Sequence, residues 1–325
     1  MALYRAVLRP LLFRLSPDRS HALAHAALRW GLPWRLVSAF PGLETRFAGV
    51  TLRNPVGLAA GFDKDGELVE ALSGLGFGFV TVGSIMPVPR AGNPFPRLVR
   101  YPATRSMADS MGLPSKGRDH AVACLKRVRH RRVPLFANVG GFTAEEIADS
   151  FRAVEPYVDG VEMNLLCPNL PPGGTFDEVK LLREVLARLE GRRKPAIVRV
   201  PNPTAQSEER LAALIEQCVE GGVAGIKVGG GRPVKEAALG TGQGTLHGRA
   251  IFDAALENVA RAARLARGRL DIKGNGGVFS AEDVQAMQRA GACCVDLYSA
   301  FIYEGWSVAA TINRALAPRS GSGTE

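Results

Sequence analysis

Leu270-Asp271-Ile272-Lys273-Gly274-Asn275-Gly276-Gly277 is the stretch on which the fold turns. A short run, Leu270–Gly274, breaks straight into glycines, which reads as a strand entering a tight turn. Seven other runs share its character and recur at helix-sized intervals: Val56–Ala60, Phe79–Gly83, Pro134–Val139, Gly160–Asn164, Ala196–Val200, Ala224–Val228 and Cys294–Tyr298. Short β-branched strands separated by helix-length segments are repeated βα units and predict a parallel sheet. Eight of them in 325 residues fit a closed α/β barrel of the (β/α)8 TIM type better than an open sheet. In such barrels chemistry sits where the strands end. The residues predicted there are Lys64, Ser84, Asn138, Asn164, Cys167, Arg199, Lys227, Asn275 and Tyr298.

Composition bounds the rest. The chain is 46% apolar and 22% charged, a globular balance. Its formal net charge of +10 comes from 41 basic against 31 acidic residues. An Arg-rich solvated surface accounts for that plainly; an acidic membrane surface or an anionic substrate would use it. No zinc-finger spacing, basic zipper or aromatic RNA platform occurs, so nucleic acid is not an expected partner. The five cysteines, Cys124, Cys167, Cys218, Cys293 and Cys294, form neither a disulfide framework nor a metal-ligand spacing. A reducing, cytoplasmic setting and no metal are expected. His21 and His25 lie four apart without an obvious third ligand.

Residues 1–40 stand outside the barrel rhythm. Leu3, Val7, Leu8, Leu11, Leu12 and Leu15 share one helical face, and Pro10 predicts a kink or restart. Ser16-Pro17-Asp18 predicts a second helix, with Ser16 as N-cap and Pro17 at its first position. The pair reads as an amphipathic hairpin that either caps one end of the barrel or lies in a lipid interface. No run reaches the ~18–20 apolar residues of a spanning helix. Thr45–Phe47 and Val50–Leu52 predict a β-hairpin plugging the barrel floor. Residues 41–317 are assigned to the barrel, and 318–325, rich in Ser and Gly, to a disordered tail. Two long loops are expected, Ser84 to Ser115 and the glycine-rich segment after Val228.

Two clusters carry chemistry. Gly274-Asn275-Gly276-Gly277 and Tyr298-Ser299, ending strands seven and eight, predict a phosphate cup of backbone N–H groups. Asn164-Leu165-Leu166-Cys167-Pro168-Asn169 leaves strand four with two amides around a cysteine, suited to a planar heterocycle and a proton-transfer group. Lys64 and Arg199 add cations to the same face.

Here the chain resembles the dihydroorotate dehydrogenases, in particular the membrane-associated, quinone-using class, over about residues 3–315. The match is carried by Asn54-Pro55-Val56-Gly57-Leu58-Ala59-Ala60-Gly61-Phe62-Asp63-Lys64-Asp65-Gly66, then Pro96-Arg97, Met111-Gly112, Asn138, Asn164 with Pro168-Asn169, Gly248-Arg249, Gly276-Gly277 and Tyr298-Ser299. Ser16-Pro17-Asp18-Arg19 and His21-Ala22 are similar to the family's membrane-docking helices. The resemblance implies FMN, held by Ala60, Gly61, Ser84, Asn138, Asn164, Arg199, Gly229, Gly248, Gly276, Gly277, Tyr298 and Ser299. It implies a substrate against Lys64, Asp109, Met111, Gly112, Leu113, Asn164 and Asn169, with Cys167 as base. The implied reaction is oxidation of dihydroorotate to orotate in pyrimidine biosynthesis. Quinone is the implied acceptor, reached through residues 1–40 at the inner face of the cell membrane.

The departures are specific. Quinone-using members carry Ser where this chain has Cys167, and a strand-five Lys where it has Arg199. Asp109 and Gly230 each stand where the family has Asn, and Leu113-Pro114 replaces Phe-Asn. Each lost amide leaves substrate groups unpaired, at roughly 1–3 kcal/mol apiece. Two further readings therefore stand beside the first: the same build retooled for another small carbonyl-conjugated substrate, and a non-catalytic barrel.

Overall fold

A computed structural model describes residues 3–30, 40–165, 177–200 and 208–318. The eight expected runs all form strands: β3 (Val56–Leu58), β4 (Phe79–Ile85), β7 (Leu135–Gly140), β8 (Gly160–Asn164), β9 (Ala196–Arg199), β10 (Gly225–Gly229), β13 (Asp271–Asn275) and β14 (Cys294–Leu297). They pair in parallel, and β14 returns to β3 to close the barrel. β7, β8 and β10 are buried at every residue, because helices cover one side and the barrel interior the other.

The interior is layered. β1 (Thr45–Phe47) and β2 (Val50–Leu52) form the expected floor hairpin, and Phe136 packs against the rings of Phe47 at 6.0 Å and Phe79 at 5.7 Å. Gly57 makes this layer possible, since a Cβ there would lie 2.1 Å from the Phe79 ring. Above the aromatic floor comes a layer of charge, and above that an open cavity.

At the N-terminus, a π-helical turn over Tyr4–Leu8 runs into an α-helix over Arg9–Phe13. Pro10 falls in the first turn of that second segment, where its missing N–H is tolerated, so the expected kink appears as a change of pitch. Pro17–Arg29 follows, with the Ser16 side chain accepting from Arg19 N–H as its cap. The hairpin docks on the last βα unit and the first loop. Tyr4 Oη donates to Ile302 O at 2.6 Å, Arg5 pairs with Glu304, and Arg29 pairs with Glu67. His21 and His25 both reach Phe62 O through Nε2, at 3.0 Å and 2.8 Å.

The two long loops carry structure that the sequence reading missed. β5 (Leu98–Tyr101) and β6 (Ser106–Asp109) come from the first, and β11 (Arg232–Lys235) and β12 (Gln243–Gly248) from the second. They join as one antiparallel sheet, ordered β11-β12-β6-β5. Prolines and glycines hide these strands; Gly244 itself is required by close pairing, because a Cβ there would sit 2.4 Å from Asp109 O. The tail expected to be disordered lies, apart from Pro318, outside the described residues.

Candidate active site

A cavity of 910 Å³ opens at the C-terminal ends of the barrel strands. Three structures enclose it: the strand ends below, the four-stranded sheet on one side, and Pro17, Asp18 and His21 of the helical hairpin at its mouth.

The loop after β3 is stitched to the end of β4, Gly61 N donating to Gly83 O at 2.7 Å and Gly83 N to Asp63 O at 2.9 Å. β4 therefore runs two residues further than expected, and Ala60, Gly61 and Ser84 all face the cavity. Asp63 closes the loop by accepting from Glu67 N and Leu68 N. Lys64 is thereby set on the wall, its Nζ donating to Gly61 O at 2.9 Å. Burial lowers the Lys64 pKa from its usual value, against the opposing pull of Asp65, Asp18, Asp109 and Asp63.

Asn138, Asn164 and Arg199 line the cavity from β7, β8 and β9. Asn138 Nδ2 donates to Glu162 Oε1 at 2.6 Å, which leaves its buried Oδ1 without a partner among the described residues. An acceptor held this way suits a ring N–H. Gly248, Gly276, Gly277, Tyr298 and Ser299 form the opposite corner. Gly277 has φ +67° and a Cβ there would lie 2.8 Å from Gly248 O, so the two backbones meet where only glycine fits. Burial raises the Tyr298 phenol above its usual pKa, with Asp109 adding to it, so it remains a donor.

The structure does not bring Gly229 to this wall; its backbone abuts Asn275 instead, where a Cβ would lie 1.7 Å from Asn275 O. Met111, Gly112 and Leu113 do line the cavity, and Leu113 holds a left-handed φ of +55° beside Gly112 at +70°. Cys167 and Asn169 lie outside the described residues.

Sequence reasoning missed a charged layer beneath the cavity. Lys273 Nζ lies 2.7 Å from Glu162 Oε2 and 3.4 Å from Asp296 Oδ2. Lys227 Nζ lies 2.7 Å from the same Asp296 oxygen and 3.4 Å from Glu162 Oε1. Burial opposes charge on Glu162 and Lys273, yet Lys227 and Lys273 hold Glu162 below the usual carboxylate range, and Asp296 and Glu162 hold Lys273 protonated. The signal was present: Glu162, Lys273 and Asp296 each precede a predicted strand-end residue by two, the spacing that shares a face. A second missed feature is His247, whose Nε2 lies 3.0 Å from Asp109 Oδ2 on the cavity wall.

With this geometry in place, comparison with known proteins is decisive. The dihydroorotate dehydrogenase family model matches residues 42–319. The chain belongs to that family. It is 35% identical over 338 residues to the dihydroorotate dehydrogenase (quinone) of Methylococcus capsulatus, covering 97% of this chain and 99% of that one. The enzyme of the same description from Alkalilimnicola ehrlichii is 36% identical over 342 residues, covering 96% and 99%. The crystal structure of Eimeria tenella DHODH in complex with ferulenol superposes with a TM-score of 0.82 at 26% identity, covering 92% of this chain and 90% of that one.

The family typically binds FMN. The residues here fit it: an orphaned acceptor on Asn138 for a ring N–H, a cation in Arg199, and glycine backbones meeting at Gly248 and Gly277 where a phosphate needs close N–H approach.

Proposed function

We propose that this chain is an FMN-dependent oxidoreductase acting on a CH–CH bond beside a carbonyl, with dihydroorotate as first substrate and quinone as acceptor. The observation that carries the reading is one cavity, in a chain of this family, that gathers Asn138, Asn164, Arg199, Gly276, Gly277, Tyr298 and Ser299. FMN, when bound, supplies the two-electron acceptor.

The protein's own share is positioning and proton transfer. Gly248, Gly276, Gly277 and Ser299 hold the phosphate, and Asn138, Asn164 and Arg199 hold the heterocycle. Lys64 and the Met111–Leu113 segment orient the substrate. Cys167 Sγ takes the proton released as the C–C bond is oxidised; a thiol starts near ~8.5, far closer to neutrality than a hydroxyl. Residues 1–40 form the acceptor's entrance. What supports this is a hairpin over the cavity mouth whose Leu3, Val7, Leu11, Leu23 and Trp30 are exposed, an apolar face suited to a lipid surface. Among the described residues, no helix is long and apolar enough to cross a membrane.

Anaerobic addition of dihydroorotate is expected to bleach bound FMN, and Cys167→Ala to slow bleaching at least about a hundredfold with FMN retained. Flavin that stays oxidised with dihydroorotate would remove that substrate. Unchanged bleaching in Cys167→Ala would remove the assigned base. A second reading, a different small carbonyl-conjugated substrate, is favoured by one observation: the Asp109 carboxylate on the wall of the substrate side.

A further inference from the structure

We propose that Glu67, His120 and Cys124 form a binding site for a borderline divalent metal ion such as Zn2+, and that the metal competes with the N-terminal hairpin for Glu67. None of the three residues lines the cavity, so the proposal does not rest on the flavoenzyme reading. His120 and Cys124 lie four apart in the helix Arg118–Arg127 and share a face of it. Glu67 meets that face from the loop after β3. Gly66 lets the loop come in, with a φ of +76° at a point where a Cβ would crowd Leu125 Cδ2 at 3.1 Å. Asp63 and Asp65 fix the approach, accepting from Glu67 N and Lys116 N at 2.9 Å each. The donor atoms are placed by the fold before any metal arrives.

Their spacing is that of ligands. His120 Nε2 lies 3.0 Å from Glu67 Oε1 and 3.4 Å from Cys124 Sγ, and the three donor atoms all fall within 4.8 Å of one another. Tetrahedral bonds of about 2.0 Å to N or O and about 2.3 Å to S set neighbouring donors roughly 3.3–3.6 Å apart, so His120 already stands near metal-bridging distance from both partners. One nitrogen, one sulfur and one oxygen suit zinc-like ions rather than Ca2+ or Mg2+. Glu67 is 15% exposed and His120 40%, so water reaches the site as a fourth ligand. Binding forms a metal–sulfur bond as the Cys124 thiol releases its proton to solvent. Burial and the Glu67 charge raise that thiol's pKa in the metal-free protein, so affinity rises with pH. No sequence spacing signals the triad, because Glu67 stands 53 residues from His120.

Glu67 also holds the hairpin, pairing with Arg29 as well as with Lys116. A divalent ion, the Glu67 carboxylate and the Cys124 thiolate sum to zero charge, so metal binding removes the pull on both cations. By reciprocity, removing either cation tightens the metal.

The test uses the full-length protein as purified, with its thiols reduced. Co2+ is added and read as a difference spectrum, and Zn2+ affinity is measured against a chromophoric chelator. One Co2+ per chain is expected, with a thiolate-to-cobalt charge-transfer band and the strong visible bands of tetrahedral geometry. Cys124→Ser is expected to abolish the charge-transfer band. That variant, His120→Ala and Glu67→Gln are each expected to weaken Zn2+ at least about tenfold. Lys116→Met and Arg29→Met are each expected to tighten Zn2+ about threefold. No thiolate band, a band that survives Cys124→Ser, or Zn2+ affinity unchanged in the three ligand variants would overturn the site. Zn2+ affinity unmoved or weakened by both Lys116→Met and Arg29→Met would overturn the competition with the hairpin.

Discussion

The two walls of the cavity are made of different material. The side proposed for the cofactor is barrel: strand ends of β7, β8, β9, β13 and β14, held in register with their neighbours. The side proposed for the substrate is a small antiparallel sheet, assembled from two excursions of the chain and holding Asp109 and His247. Asp109 lies on that second wall, and Leu113 and Pro114 line the cavity from the loop that follows β6. A barrel strand cannot change without disturbing its register and the layer beneath, whereas a loop-borne sheet can change its facing residues freely.

The largest expected effect lies under the cofactor wall. Lys273→Met leaves Glu162 and Asp296 with one buried cation between them, and is expected to cost about 3–5 kcal/mol in denaturant unfolding. Replacing Asp296 with Asn in the same chain is expected to recover part of that loss, because no unpaired charge then remains. A cost below about 1 kcal/mol would mean that the charged layer is not what stiffens this wall.

This contrast also explains what was legible. All eight barrel strands, the floor hairpin and the Ser16-Pro17 helix start were readable, because long-lived periodicity and capping chemistry are local. The substrate-side sheet was not. Leu98–Tyr101 and Arg232–Lys235 are four residues each, interrupted or flanked by Pro and Gly, and the two hairpins they belong to become one sheet only through the distant pairing of β6 with β12. Within the site, the strand-end residues read from the sequence line the cavity where they are described, except Gly229, whose backbone abuts Asn275, while Cys167 lies outside the described residues. Glu162 and Asp296 went unread because buried charge on a barrel strand looks improbable until its partners, which stand on other strands of the barrel, are seen together.

A smaller effect sharpens the comparison at the mouth, where the hairpin meets the loop after β3. Burial, aided by the Lys64 and His25 charges, pulls the His21 pKa from 6.5 to about 3, against the hydrogen bond to Phe62 O. An undocked His21 takes up a proton below 6.5 while the docked one resists, so docking is at full strength above that pH and weakens as pH falls toward 3. Glu67, which grips Arg29, adds to this lower down. Burial alone would raise its carboxyl, but Lys116 and His120 hydrogen bonds with the Lys116 and Arg29 charges hold it at about 2, a contribution lost as pH falls from 4.5 through that value. Hydrogen exchange across residues 17–29, corrected for intrinsic rates, is expected to quicken between pH 7 and 5 while the barrel strands stay protected. Protection that is flat or rises on acidification would contradict the docking account.

The central claim, that the barrel wall is a flavin site, is tested most directly by titrating FMN into the cofactor-free protein. The account predicts one FMN per chain, and binding at least tenfold weaker in Gly277→Ala, where a Cβ would strike Gly248 O at 2.8 Å. A wild-type chain that takes up no FMN, or one whose FMN affinity is untouched by Gly277→Ala, would contradict it.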